Sequence, residues 1–305
     1  MDVKHILVAQ DFSKCSQNAV LYAVYLAKRL DAQLHQVHVN ELHPDLADRP
    51  EGFKTTDRED LMKRLEEIAH GDLADGRAFN PYGLDVENDV VQSVSAGPAV
   101  LDYLEDRDID LAVLGTHGRR GIRHMMLGSV AEEIVQRASC PVLTVGEGQL
   151  PWATDRILAP VDFSEHSREG LRHARELAAL YEAKVDLLHV IEESLHPAFY
   201  TGGVKSVYDA HPDIEDRARD RMDEMWASVE GPDVEYEVHV RPGRAAEVIN
   251  EVAEEQDDDL VVMATHGRTG LEKFFLGSVT NKVVRTSPSP VFTVRTLEIP
   301  EPETE

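Results

Sequence analysis

A chain of 305 residues with 42% hydrophobic and 29% charged side chains has the composition of a globular protein and the length for two domains. Its 57 acidic against 31 basic residues leave a net charge of −26, which excludes electrostatic capture of DNA, RNA or an anionic membrane, because no surplus of cations is there to neutralise phosphates. No apolar run is long enough to span a bilayer, and the opening MDVKHILVAQDFS reads as a first strand rather than a secretory leader.

Cys15 and Cys140 are the two cysteines, with no CxxC pair. They suggest neither a disulfide framework nor a zinc site, but two buried thiols in a reducing cytoplasm.

Taken in order, the chain alternates short apolar runs with amphipathic stretches. Ile6–Ala9 is the first expected strand, and Ser16–Leu30 a helix with Ala19, Ala23, Leu26 and Leu30 on one face. Gln33–Val39 is the second strand; His35 and His38 within it fall on opposite faces. A charged helix over Thr56–Leu73, a strand over Leu84–Val91 and a short helix over Pro98–Glu105 follow. Leu111–Leu114, a helix over Ser129–Ala138 and a strand over Val142–Val145 close the first half.

The chain is then written again. KHILVAQDFS returns as DRILAPVDFS, QLHQVHV as KVDLLHV, GTHGRRG as ATHGRTG, LGSV as LGSV and CPVLTV as SPVFTV, each about 150 residues later, the mark of a duplicated domain. Strands are expected near Ile157, Val185, Val234, Leu260 and Val291, and the helix after Gly243 is expected to run about one turn longer than its counterpart after Gly97. The organisation is a first domain at 1–146, a linker at 147–154, a second domain at 155–295 and an acidic tail at 296–305. Alternating strands and helices imply an α/β fold with a parallel sheet covered on both faces.

Asp110–Val145 carries the chemistry. A buried strand is followed by a loop with Gly115, Gly118 and Gly121, then a helix opening at Gly128-Ser129. Glycines let backbone amides approach an anion, and a helix N-terminus offers unpaired N–H groups and partial positive charge. Ser129 has two readings: a phosphate ligand, or the first member of a capping box with Glu132. Arg119, Arg120, Arg123 and His124, echoed by Arg268 and Lys273, are either a local field for polyphosphate or ordinary partners for abundant acids. His117 and His266 sit inside the loops, to touch phosphate or to pack. Asp11 and Asp162 follow the first strand of each half, where a ligand-facing role competes with capping of the next helix, a task open also to Ser13 and Ser164. No Walker lysine motif, nucleophile elbow or HExxH is present.

Both halves resemble the universal stress protein family, α/β proteins that often bind ATP. The family's pattern of Gly, two residues, Gly, nine residues, then Gly-Ser is met by Gly115, Gly118, Gly128 and Ser129. In the second half Gly267, Gly277 and Ser278 match, but Ala264 stands at the first glycine. The resemblance implies two tandem Rossmann-like domains of the adenine nucleotide α-hydrolase-like type, each a five-stranded parallel sheet of order 3-2-1-4-5. It places Asp11 and Asp162 near a ribose, Val39 and Val190 against adenine, and the phosphates against the two loops. The nucleotide-binding set it implies is Asp11, Val39, Gly115, His117, Gly118, Arg119, Gly128, Ser129 and Val130, then Asp162, Val190, Ala264, His266, Gly267, Arg268, Gly277, Ser278 and Val279. Ala264 is expected to weaken the second site. Mg or Mn would ride on the phosphates. The family's edge strands imply a pseudo-dimer of the halves, with homo-oligomers allowed; no protein partner is named.

The reading that follows is an ATP-binding stress-response protein with little or no hydrolysis. A nucleotide-free dimerisation or interaction module is the second hypothesis, and a slow ATP hydrolase the third, disfavoured by the lack of a base–nucleophile pair. The acidity also implies a salt-rich cytoplasm that screens self-repulsion. The melting temperature should therefore rise across a salt series; undiminished stability in dilute buffer would contradict this.

Overall fold

The computed structural model describes residues 1–42, 58–69, 84–116, 127–149, 154–192, 211–266 and 276–295. The chain divides into two compact units, Asp2–Trp152 and Ala153–Glu305. The first holds β1 (His5–Ala9), α1 (Lys14–Leu30), β2 (Gln33–Glu41), α2 (Arg58–Ala69), β3 (Val86–Ser93), α3 (Ala96–Asp106), β4 (Leu111–Gly115), α4 (Ser129–Arg137) and β5 (Val142–Val145). The second holds β6 (Arg156–Pro160), α5 (Glu165–Tyr181), β7 (Lys184–Ile191), α6 (Ile214–Ser228), β8 (Tyr236–Pro242), α7 (Ala245–Glu255), β9 (Leu260–Ala264), α8 (Ser278–Thr286) and β10 (Val291–Val294). Residues 150–153 of the 147–154 linker and the tail from 296 lie outside the described residues. Among the described residues no helix is long and apolar enough to cross a membrane.

Pairing within the first unit runs β3-β2-β1-β4-β5, parallel throughout. The second unit repeats it as β8-β7-β6-β9-β10. The central strands are apolar on both faces: Ile6, Leu7 and Val8 are fully buried, as are Ile157 and Leu158. Such strands need helices on either side. In the first unit α2 supplies Leu61 and Leu65 to a cluster with Val90, while α3 turns Tyr103 toward His35 across the sheet. His35 and His38 thus do face opposite ways.

The adjacency of β1 and β4 has a local cause that sequence reasoning left open. Asp110, just before β4, accepts hydrogen bonds at Oδ2 from the amides of Lys4 (2.8 Å) and His5 (2.9 Å) at the start of β1. Asp259 does the same for Asp155 (2.8 Å) and Arg156 (3.1 Å). Each first helix starts at a serine cap: Ser13 accepts from Ser16 N and Ser164 from Ser167 N.

Two expectations change. The helices after Gly97 and Gly243 are equal, 11 residues each. Gly97 lies inside α3, whereas Gly243 precedes α7 with φ +138, so the two glycines are not equivalent and the extra residues do not lengthen the helix. β3 starts at Val86 rather than Leu84 and runs on to Ser93, because its pairing with β2 extends to Glu41.

At the amino ends of the strands each unit buries a polar cluster. In the first, His5 Nδ1 lies 3.2 Å from His35 Nε2 and His35 Nδ1 lies 3.3 Å from the Tyr103 hydroxyl. In the second, Asp186 is fully buried and meets Arg156 (2.7 Å) and His239 (2.8 Å). Burial pushes the Asp186 carboxyl up, but His239 and Arg156 outweigh it and hold it below the usual range. Asp258 beside it is only 3% exposed; burial, then the Asp186 charge, pushes it up to about 8. An unfolded aspartate titrates near ~3.9. The fold therefore favours the protonated acid, so this stability is complete below that value and is lost as pH rises toward about 8. Urea unfolding between pH 5 and pH 8 should show the decline, on the order of a few kcal/mol, and Asp258→Asn should remove most of the slope.

Candidate functional site

The strand order reverses between β1 and β4, and between β6 and β9. Their carboxyl ends are where an open parallel sheet presents a crevice. From β1 the chain enters that crevice at Asp11, whose Oδ1 accepts from the Ser13 amide (2.9 Å). In the second unit Asp162 Oδ1 accepts from the Ser164 amide (3.0 Å) and hydroxyl (2.6 Å). Capping of α1 and α5 thus falls to the serines, and the aspartates stand two residues before the caps.

Between aspartate and serine sits a feature the sequence reading missed. Phe12 (φ 65) and Phe163 (φ 64) adopt the left-handed region, which is unusual for a bulky side chain, costs on the order of 1–3 kcal/mol and persists only where the surroundings enforce it. Here they do. The Phe12 ring stacks on His38 at 4.8 Å under the Arg64 guanidinium at 3.7 Å; Phe163 stacks on His189 at 4.3 Å under Arg221 at 4.3 Å. His38 Nδ1–H donates to the Gln10 carbonyl (2.6 Å) and His189 Nδ1–H to that of Val161 (2.7 Å). The half-buried Val39 and Val190 follow these anchored histidines. The signal was the repeated DFS string, of which the sequence reading used the aspartate and the serine but not the phenylalanine.

The helix ends at the crevice correct the capping-box reading of Ser129. The cap of α4 is Gly128 (φ −62, ψ 142) and that of α8 is Gly277 (φ −52, ψ 139). Their amides donate to the Thr116 (2.8 Å) and Thr265 (2.9 Å) carbonyls. Ser129 and Ser278 are first helical residues with exposed side chains, and Val130 and Val279 follow, half-buried. A glycine cap has no side chain to fold over the first-turn amides, which leaves the helix end open to an external anion. Glu133 does not oppose one: its carboxylate lies over Gly97 and pairs with Arg137 at 2.7 Å.

Gly115 serves packing. A Cβ there would fall 2.7 Å from Ser16 N and 2.9 Å from Cys15 Cβ in α1. The first glycine of the pattern is therefore demanded by the approach of the helix, and Ala264, buried at the matching place, marks a unit whose helix leaves room for one methyl. Beside Ala264, His266 Nδ1 lies 3.0 Å from the Thr265 hydroxyl, and the His266 ring is 5.7 Å from that of His166. His166 is a second residue the sequence reading passed over. His117, Gly118, Arg119, Arg120, Arg123 and His124, and Gly267, Arg268 and Lys273, lie outside the described residues.

Among the described residues one group has metal-type donors close together: Asp186, Glu237 and His239, away from the crevice. Arg156 Nη2 lies 2.7 Å from Asp186 Oδ2 and 3.7 Å from Glu237 Oε2. The guanidinium already takes the cation's place, so the group reads as an ion-pair network. Cys15 and Cys140 are both buried free thiols, and burial pushes Cys140 up to about 12.

The universal stress protein family matches residues 2–146 and again residues 153–295. The chain belongs to that family. A universal stress protein of Mycolicibacterium smegmatis is 27% identical over 296 residues, 95% of this chain and 96% of its own length. Universal stress protein A homolog 1 of Coxiella burnetii is 36% identical over 141 residues, 45% of this chain and 94% of its own. A universal stress protein structure from Archaeoglobus fulgidus shares the fold at a TM-score of 0.66 and 20% identity, covering 95% of this chain and 96% of that one.

Packing at Gly115 yields a direct test within this family member. Gly115→Ala should cost about 2 kcal/mol through overpacking against α1, whereas Ala264→Gly should cost about 1 kcal/mol or less. Equal losses in denaturant unfolding would contradict the assignment.

Proposed function

We propose that this universal stress protein binds an adenine nucleotide, ATP foremost, in each crevice, and acts as a nucleotide-responsive stress regulator with little or no hydrolysis. The observation that carries the reading is the pair of glycine-capped helix ends, at Gly128 and Gly277. They open beside strand-end aspartates that the serine caps leave outside the helices. Asp11 and Asp162 would meet the ribose, Val39 and Val190 the adenine, and the Ser129–Val130 and Ser278–Val279 amides the phosphates, joined by His117, Gly118, Arg119, His266, Gly267 and Arg268. Mg or Mn would travel on the phosphates. We infer a salt-adapted cytoplasm as the setting, and association of the halves, or of whole chains, through edge strands as the family resemblance suggests.

A denaturing extract of the purified full chain should release adenine nucleotide, two per chain when both sites are filled. Gly128→Trp should remove the first-unit share and lower its ATP affinity more than tenfold, the order expected for several charge-assisted hydrogen bonds. Unchanged affinity would overturn the site; steady ADP formation would replace the regulator by a hydrolase.

A further inference from the structure

We propose that His166 is an additional anion ligand of the second-unit crevice, and that nucleotide binding there takes up a proton on His166. The inference rests on the nucleotide reading of that crevice. It starts from a difference between the units: the second residue of α1 is Cys15, while the second residue of α5 is His166. The His166 ring is 5.7 Å from that of His266, and a Cβ on Gly277 would lie 3.9 Å from the His266 Cα. His266 therefore adjoins the glycine-capped end of α8, His166 adjoins His266, and Asp162 is near enough for its charge to act on His166.

His166 Nδ1 is buried and makes no hydrogen bond. A bare lone pair is cheaper to bury than an N–H without an acceptor, so the neutral ring carries its proton on Nε2. Burial lowers the His166 pKa, while the charge of Asp162 raises it. Burial thus outweighs Asp162 and favours the neutral ring. Asp162, after β6, and His266, after β9, are the groups beside it; on its own helix Glu165 is engaged by Arg168 and Glu169 by Arg172. The first turn of α8 carries no acidic residue, so nothing there competes with an incoming anion. A polyphosphate oxygen that accepts from the His166 Nδ1–H removes the cost of burying that donor, and its negative charge shifts the balance to the imidazolium. Binding and protonation then favour each other, and affinity rises as pH falls.

The test uses the full chain carrying Gly128→Trp, so that ATP reports on the second unit. ATP is titrated calorimetrically at pH 7 in two buffers of different ionisation heat, with His166 intact, His166→Leu or His166→Gln. Protonation of ATP itself is common to all three and cancels. The chain with His166 should take up roughly one proton more per ATP than either variant. Between pH 8 and pH 6 its affinity should rise about tenfold more than theirs, the scale of one charge-assisted hydrogen bond. In the wild-type chain the His166 ring resonances should titrate at higher pH with ATP than without. ATP binding with equal proton uptake in all three chains overturns this inference alone. No ATP binding at either pH overturns the nucleotide reading of the second unit as well.

Discussion

The neighbouring of β1 and β4, and of β6 and β9, is the constraint on which the rest depends. Parallel order alone does not create a crevice; it needs the point where the next strand is laid on the other side of the first. In both units one carboxylate fixes that point. Asp110 and Asp259 each accept two amides from the start of the adjoining strand, and hydrogen bonds to a charged acceptor are among the stronger ones a fold makes. At the opposite, carboxyl end the same two strands release the aspartate loop and the loop that leads to a glycine-capped helix.

What surrounds the crevice is a division of tasks between adjacent residues. Serine closes the helix, so aspartate stays outside it. Phenylalanine takes a strained backbone conformation and is held by a histidine that also fixes the end of the second strand. Glycine caps α4 and α8 without a side chain, so serine sits one place further on with its hydroxyl exposed. These orders recur in both units, although most of the residues between them differ.

The sequence carried the architecture well because its signal was periodic and written twice. Buried strands gave continuous apolar runs, and the repeated strings gave the second unit once the first was read. The local errors have a physical pattern. Ser129 looked like a cap because Glu132 stands three residues on, yet cap identity is decided by backbone angles, and glycine supplied them. Gly115 was read from a spacing, and the distance to α1 adds a packing demand that no spacing carries. Gly97 and Gly243 looked equivalent because both precede apolar helices, yet one lies in a helix and the other before it. Phe12 and His166 escaped because their meaning is a left-handed turn and a neighbouring ring, neither of which leaves a period in the sequence.

Duplication turns these differences into information. Where the units agree, at the acid clamps, the serine and glycine caps and the His–Phe–Arg stacks, a common function or a common fold demands it. Where they part, they do so in charged and titratable groups. At the amino ends the first unit has a His5–His35–Tyr103 cluster, and the second has an Arg156–Asp186–His239 network with Asp258 beside it, its carboxyl pushed up by burial. At the crevice, Cys15 under Gly115 faces His166 near Ala264. Exchanging a thiol for an imidazole changes a helix–strand contact into a polar group at the ligand end, and the methyl of Ala264 is tolerated in the unit that carries the imidazole. With His166 as the proposed anion ligand, the second unit is a crevice with its own proton chemistry.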